Sequence, residues 1–290
     1  MTATAQQWVE GARPRTLPAA IAPVAVGTGA AVAVDDGIWW KALLALVVAL
    51  ALQVGVNYAN DYSDGVRGTD ATRVGPFRLV GSGAASPGSV RAAALAAFAV
   101  GAAAGLVLAA TTSWWLLLVG AAALVAAWTY TGGPLPYGYR ALGEVFVFLF
   151  FGLVAVLGTT YVQAGTVTWP AAAGAVAIGA WACAILVANN LRDIPTDTAT
   201  GKRTLAVVLG ARRSRILYAA LVTLPVLACL AVAPAHPVTL IALATVPVAV
   251  RLARTVLGGA SGRDLIPVLA GTGRAELVYA ALFAVGLAVS

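Results

Sequence analysis

Residues 41–60 read Lys-Ala-Leu-Leu-Ala-Leu-Val-Val-Ala-Leu-Ala-Leu-Gln-Val-Gly-Val-Asn-Tyr-Ala-Asn, and residues 61–70 continue Asp-Tyr-Ser-Asp-Gly-Val-Arg-Gly-Thr-Asp. A helix over the first segment is about 30 Å long, enough to cross the hydrocarbon core of a bilayer. Its one charge, Lys41, stands at the start, and its polar residues gather at the far end. If the helix runs on, Asn57, Asn60, Asp61 and Asp64 fall at i, i+3, i+4 and i+7 and share one face. An apolar rod that ends in amides and carboxylates is expected to bring a polar site to the membrane edge.

The rest of the chain has the same character. Of its 290 residues 61% are hydrophobic and 10% charged, with a mean hydropathy of +0.90, too little polar surface to coat a water-soluble globule. Apolar runs lie near 17–34, 41–60, 91–110, 113–131, 142–163, 169–191, 215–233, 237–255 and 275–290. The first is followed by further spans rather than by a cleavage site and a polar chain, so it reads as a span and not as a leader. The expected fold is therefore an all-α polytopic transmembrane bundle of about nine helices, one integral-membrane domain over residues 1–290.

Secreted, nucleic-acid-binding and cytosolic readings are excluded together; the net charge of +7 belongs to loops and lipid headgroups instead. Counting segments alternately from the N-terminus, Lys41 stands alone on one side and the other Lys and Arg residues fall on the opposite one. That asymmetry puts the N-terminus in the cytoplasm and the C-terminus outside. Tryptophans at 39–40, 114–115 and 169 begin the second, fourth and sixth spans on the outer side, where an indole suits the headgroup layer. Cys183 and Cys229 lie within apolar runs and read as packing residues, and His236 reads as part of an outer turn.

The sixth span also ends in a polar cluster, Asn189-Asn-Leu-Arg-Asp-Ile-Pro-Thr-Asp197, followed by Gly201-Lys-Arg-Thr204. Asn189, Asp193 and Asp197 recur every four residues along one face, so the second and sixth spans end alike and a pseudo-repeat of four helices is expected. A carboxylate at membrane depth costs about 2.5–3.5 kcal/mol, so several on one face imply a partner that offsets the penalty. The donors are hard oxygens without thiolate or imidazole, a set that suits magnesium. Arg67, Arg73, Arg78, Lys202 and Arg203 follow at once, so acids for a metal are interleaved with bases for its anionic cargo. The composition is that of a metal–diphosphate site, with its loops near 57–91 and 189–214.

At these clusters the sequence resembles the UbiA superfamily of intramembrane prenyltransferases. The first is similar to that superfamily's NxxxDxxxD signature and the second to its other Asp-rich motif. Arg13-Pro-Arg-Thr-Leu-Pro18, the 130–140 run YTGGPLPYGYR, and Gly143-Glu144 extend the likeness to the branch that prenylates 1,4-dihydroxy-2-naphthoate. One departure is plain: Asn60 and Asp64 fit the signature, but Gly68 stands at its third position, leaving Asp61 or Asp70 to supply the missing carboxylate.

The resemblance implies a Mg2+-dependent enzyme of menaquinone biosynthesis in the cell membrane, with its active site facing the cytoplasm. Its substrates would be a polyprenyl diphosphate and 1,4-dihydroxy-2-naphthoate, its surroundings membrane lipid, and no nucleic acid would be involved. Two Mg2+ ions would be held by Asn60, Asp61 and Asp64 and by Asn189, Asp193 and Asp197, with Arg67, Arg73, Lys202 and Arg203 as counter-charges for diphosphate. Asp61, Asp64, Asp193 and Glu144 are the residues expected to carry the chemistry. The acceptor would meet Asn57, Tyr137 and Tyr139, with its carboxylate anchored by Arg140 or by Arg13 or Arg15. Glu144 either orients Arg140 or takes a phenolic proton. Phe146, Phe148, Phe150 and Phe151 are candidates to line a prenyl groove, though their spacing does not keep to one helical face, so at least two are expected to face lipid. Two rivals remain at this stage: a related enzyme with another aromatic acceptor, and a secondary transporter, whose polar groups would lie nearer the bilayer midplane.

Overall fold

A computed structural model describes residues 3–68 and 77–290. Among them the chain is helical, with no β-strand. The α-helices are α1 Ala5–Gly11, α2 Pro18–Val32, α3 Trp39–Arg67, α4 Pro87–Thr111, α5 Leu116–Thr129, α6 Gly143–Val147, α7 Ala155–Ala164, α8 Trp169–Ala199, α9 Leu205–Val232, α10 Val246–Leu257 and α11 Leu265–Ala288.

Each apolar run of the sequence contains helix, but their lengths divide them. Seven rods among the described residues are long and apolar enough to cross a bilayer: α3, α4, Gly143–Ala164, α8, α9, Pro237–Leu257 and Gly262–Ala288. An eighth is counted if Ala5–Thr16 and α2, bent by 50° at their junction, form one span. Pro14 and Pro18 flank that junction, where a missing backbone N–H is tolerated because each begins a helical turn. The run near 113–131 forms only α5, whose 14 residues reach about 21 Å, short of a bilayer core. The last helix begins earlier than the apolar run does. It starts at Leu265 and takes Arg274 and Glu276 into its body, so Arg274 is not a loop residue. Leu-Ile-Pro-Val-Leu-Ala at its start supplies enough apolar length to continue through them.

The rod Gly143–Ala164 joins α6 to α7 through a π-helical stretch, Phe148–Val154. The central helix is α8, with 78% of its apolar window buried against 22–44% for the other long rods. Alanine and glycine dominate it, and small side chains let neighbouring backbones approach, which is the main source of close helix packing in lipid. Where it crosses the π-helical stretch, a Cβ on Gly152 would lie 2.7 Å from the Gly179 Cα, so neither position admits a larger side chain without separating the helices. Around α8 pack α9, α11, the π-helical stretch and α2, while α3 and α4 pair beside them. The polar ends of α3 and α8 meet at the same end of the bundle. Exposed Trp39, Trp114 and Trp169 mark the opposite end, at or near the starts of α3, α5 and α8.

Candidate active site

The ends of α3 and α8 enclose a cavity of about 750 Å3. Gln53, Asn57, Asn60 and Asp64 line one wall, one helical face extended a turn deeper than the sequence motif. Asn189, Asn190 and Arg192 line the facing wall, and Arg13, Arg15, Arg78 and Lys202 lie at the mouth. The cavity continues away from this polar end between α3, α5 and α7, past Ala45, Leu116, Gly120, Gly158 and Val162. One space therefore joins a charged head to an apolar groove running along the spans.

On α3 the two neighbouring acids have different surroundings. Asp64 accepts from the Tyr139 hydroxyl at 2.7 Å and lies 3.8 Å from Arg78 Nη2. Asp61 faces elsewhere: its carboxylate accepts the backbone N–H groups of Leu79 at 2.7 Å and Val80 at 3.0 Å. Asp61 thus folds back the segment that sets Phe77 and Arg78 at the cavity, and does not itself line it. Gly65 belongs to the same device, since a Cβ there would sit 2.4 Å from Val80 Cγ1. Asn60 Oδ1 accepts from Thr131 Oγ1 at 2.7 Å. Asn57 donates to the Ala12 carbonyl and to Thr16 Oγ1, at 2.8 and 2.9 Å, and Gln53 donates to the same hydroxyl. These amides pin the N-terminal segment over the cavity, so Asn57 holds the wall more than it offers itself to a ligand.

On α8, Arg192 forks onto Asp193, with both nitrogen–oxygen distances 2.7 Å, and reaches Asn189 Oδ1 at 2.9 Å. Such a planar, two-pronged pair fixes both side chains. Asp197 lies 4.0 Å from Lys202, whose backbone N–H returns to the Asp197 carbonyl at 2.8 Å. Asp193 and Asp197 are buried behind the cavity wall rather than on it.

Tyr139 ties the two halves together. Its hydroxyl holds Asp64, and its ring lies beneath two cations, Lys202 at 5.0 Å and Arg67 at 5.6 Å. Cations over an aromatic face are held by the ring quadrupole. Arg67 also donates to the carbonyls of Thr131 and Gly133, which commits it to the loop after α5 rather than to the cavity. Arg140 and Arg203 form a backbone bridge and are both exposed, and neither lines the cavity. The structure therefore does not bring Arg140 to an acceptor within the cavity, nor Arg67 and Arg203 to a diphosphate there. Arg13 and Arg15 do line it, and Arg13 adopts left-handed backbone angles, φ 54 and ψ 69, unusual for a side-chain-bearing residue and often found at functional positions. Asp70 and Arg73 lie outside the described residues.

Glu144 does not orient Arg140. Its Oε1 accepts from Asn190 Nδ2 at 3.0 Å. Next to this pair runs an aromatic wall: Tyr130 meets Tyr137 edge-on at 5.4 Å, Tyr137 stacks on Phe146 at 4.0 Å, and Phe146 leads to Phe150 at 6.2 Å. The Tyr137 hydroxyl donates to the Ala126 carbonyl at 2.9 Å, and burial pushes its pKa up, so it offers the cavity a ring face and not a phenolate. Phe146, Phe150 and Phe151 line the groove, whereas Phe148 packs on Gly179. The wider turn of the π-helical stretch swings Phe150 and Phe151 to the cavity together, which ordinary helical spacing did not foretell.

Sequence reasoning passed over Asn190, Arg192 and Thr131. The first two sat inside the quoted motif but off its four-residue spacing, and Thr131 lies in a loop whose partner is 71 positions away. Among the described residues no three acidic, histidine or cysteine side chains converge on one point. A hard cation here would draw on one or two carboxylates with amide and substrate oxygens, which is how Mg2+ is commonly bound beside phosphates.

The UbiA prenyltransferase family model matches residues 20–265. A Mycobacterium tuberculosis protein named 1,4-dihydroxy-2-naphthoate octaprenyltransferase is 57% identical, with 97% of each chain covered. One of the same name from Escherichia coli is 36% identical, covering 98% of this chain and 96% of its own. Among solved structures, a UbiA homolog from Aeropyrum pernix superposes with a TM-score of 0.72 at 18% identity, over 92% of this chain and 97% of that one. A UbiA homolog from Archaeoglobus fulgidus bound to GPP and Mg2+ gives 0.68 at 16% identity, over 98% and 100%.

Proposed function

This chain belongs to the UbiA prenyltransferase family, and from that premise we propose that it transfers a polyprenyl group from polyprenyl diphosphate to 1,4-dihydroxy-2-naphthoate, releasing diphosphate and carbon dioxide to give demethylmenaquinol. The observation that carries this reading is the single cavity, in which hard-oxygen donors and cations at the head open directly into an apolar groove. A soluble anion needs no such groove, and a lipid carrier has no use for the acids. The acceptor follows from the name shared by the mycobacterial and enterobacterial relatives.

In this reading Asn60 and Asp64 of α3 and Asn189 of α8 would offer oxygens to two Mg2+ ions from the cavity wall, and Asp193 and Asp197 would join them by turning from Arg192 and Lys202. Asp61 serves by shaping the loop of Arg78. Bound Mg2+ supplies positive charge to the diphosphate as it departs. Arg78, Arg192 and Lys202, the cations on the cavity wall, add to it and favour the charge-separated state. The groove holds the prenyl chain dry, and the aromatic wall of Tyr137, Phe146 and Phe150 shields the allylic cation from water until the naphthoate ring attacks. Arg13 or Arg15 anchors the acceptor carboxylate. The protein is a multi-pass integral membrane protein. In this reading it sits in the cell membrane, and its charge asymmetry supports a cavity mouth toward the cytoplasm.

The test is an assay of purified protein with radiolabelled polyprenyl diphosphate, Mg2+ and a panel of aromatic acids. Labelled demethylmenaquinol from 1,4-dihydroxy-2-naphthoate, and little product from 4-hydroxybenzoate, is expected. The reverse preference would overturn the acceptor assignment while leaving prenyl transfer intact.

A further inference from the structure

We propose that Asn190, set in place by Glu144, reads a ring hydroxyl of the aromatic acceptor, with Asn190 as a specificity-determining contact and Glu144 as its positioning residue. The inference rests on the reading of the cavity as an aromatic prenyltransferase site and adds to it a residue outside both Asp-rich spacings.

Asn190 turns Nδ2 toward Glu144 Oε1, 3.0 Å away, which leaves its Oδ1 for something else. No protein donor meets that oxygen among the described residues, and Asn190 lines the cavity. Among the neighbouring amides, Asn189 Oδ1 accepts from Arg192 and Asn60 Oδ1 accepts from Thr131, whereas Asn57 and Gln53 donate to the N-terminal segment and Gln53 Oε1, too, is buried without a partner. What sets Asn190 apart is the buried acid that fixes it. Glu144 is itself buried at 7% exposure, and its Oε2 has no hydrogen-bond partner, so the acid is held inside the protein by little other than Asn190. An ionisable group kept at such a position without an ion-pair partner calls for a use.

Location supplies the use. Asn190 follows Asn189, one step around α8 from the proposed diphosphate head, and looks onto the same cavity as the stacked pair Tyr137 and Phe146. A planar ring packed against the side of that stack, beside the carbon that the diphosphate leaves, would bring a hydroxyl within reach of the Asn190 oxygen. A phenolic hydroxyl there donates to it. During the reaction the new C–C bond forms as the prenyl C–O bond breaks, and electron density drawn from the hydroxyl oxygen makes that proton more acidic. When carbon dioxide departs, its bonding pair returns to the ring and the hydroxyl is restored, so no proton is lost overall. An acceptor that tightens on the hydroxyl in the charged state, and that is polarised by a carboxylate behind it, suits such a cycle.

The experiment measures Michaelis constants for both substrates, and inhibition constants for 1-hydroxy-2-naphthoate and 4-hydroxy-2-naphthoate, in wild type, Asn190→Ala and Glu144→Gln. Wild type is expected to favour the dihydroxy acid over one of the monohydroxy analogues by about tenfold or more, the loss of one well-placed hydrogen bond. Asn190→Ala should erase that preference and raise the Michaelis constant of the acceptor, leaving that of the prenyl diphosphate within about twofold. Glu144→Gln has the same shape and can donate as well as accept, so it loosens the amide orientation and should weaken the preference in part. That variant decides the matter if Asn190→Ala unfolds on a thermal melt. Unchanged discrimination in a folded variant overturns the proposal, and so does a rise confined to the prenyl diphosphate. Failure of wild type to use 1,4-dihydroxy-2-naphthoate at all would instead overturn the functional reading on which the inference rests.

Discussion

Asp61 and Asp64 stand three residues apart on one helix, and in sequence they are equivalent candidates for a metal. The structure separates them by what they already hold. Asp61 accepts two backbone N–H groups of the Leu79–Val80 segment, while Asp64 takes a tyrosine hydroxyl and faces the cavity. Their alanine variants should therefore fail differently. Asp64→Ala is expected to abolish turnover with a smaller fall in melting temperature in detergent, from the loss of the Tyr139 hydroxyl and of Arg78. Asp61→Ala loses hydrogen bonds to a charged acceptor, worth about 1.5–3 kcal/mol each, and should lower the melting temperature further. Its catalytic loss would follow from the displacement of Arg78. Equal melting temperatures for the two variants would contradict this division. The same logic divides the arginines. Arg140 is exposed and off the cavity, whereas Arg13 lines it in left-handed backbone geometry. Arg140→Ala should leave the acceptor Michaelis constant within about twofold, and Arg13→Ala should raise it about tenfold or more, as a lost charge-assisted contact would. A large rise with Arg140→Ala would restore it to the acceptor site. Residue types and spacing made the chemistry legible; the direction each side chain takes was not, because Asp61's partners lie 18 and 19 positions away in a loop with no periodic signal.

At the scale of elements, what could be read in advance is what lipid enforces. Spans, their apolar lengths and the polar ends of α3 and α8 followed from the rule that backbone polar groups in a bilayer must be satisfied within the helix. Two elements escaped it. A short apolar run can become α5, too short to span, because it packs beside α3 and α4 instead of bridging two interfaces alone. The π-helical stretch Phe148–Val154 leaves no sequence mark except Gly152, which permits its close crossing of α8. The groove between these elements carries a prediction about chain length. A Cβ added at Gly120 or Gly158 would meet nothing within 4 Å, and both residues line the deep part of the cavity, so a large side chain there fills the groove without first disturbing the fold. Gly158→Phe is expected to retain turnover with a short allylic diphosphate such as geranyl diphosphate and to lose it about tenfold or more with long polyprenyl donors. Competition between a short and a long donor in one reaction reads this ratio directly, and a proportional loss for both would place the tail elsewhere.

For the whole molecule, the arrangement of charge ties the site to one side of the membrane. The acids, the cavity-lining cations and the exposed Arg203, Arg212 and Arg213 occupy or adjoin the end at which α8 closes and α9 begins. Exposed Trp39, Trp114 and Trp169 mark the other. Basic residues in short loops remain cytoplasmic, and indoles collect in headgroup layers, so the cavity should open to the cytoplasm, where a water-soluble anionic acid can enter while the prenyl donor arrives through the bilayer. The protein suits a direct test because its two cysteines, Cys183 and Cys229, are free and buried at 3% and 0% exposure, leaving little background for a thiol reagent. Single cysteines can then be placed at exposed positions of opposite ends: Arg212→Cys near the start of α9, and Ala235→Cys in the turn after it. A membrane-impermeant maleimide added to intact spheroplasts should label Ala235→Cys and spare Arg212→Cys until the membrane is opened, while the parent protein stays unlabelled in both conditions. The opposite pattern would turn the molecule over. It would also put the diphosphate head on the outer face, away from the acceptor's side, and with it the proposed route by which the two substrates meet would fall.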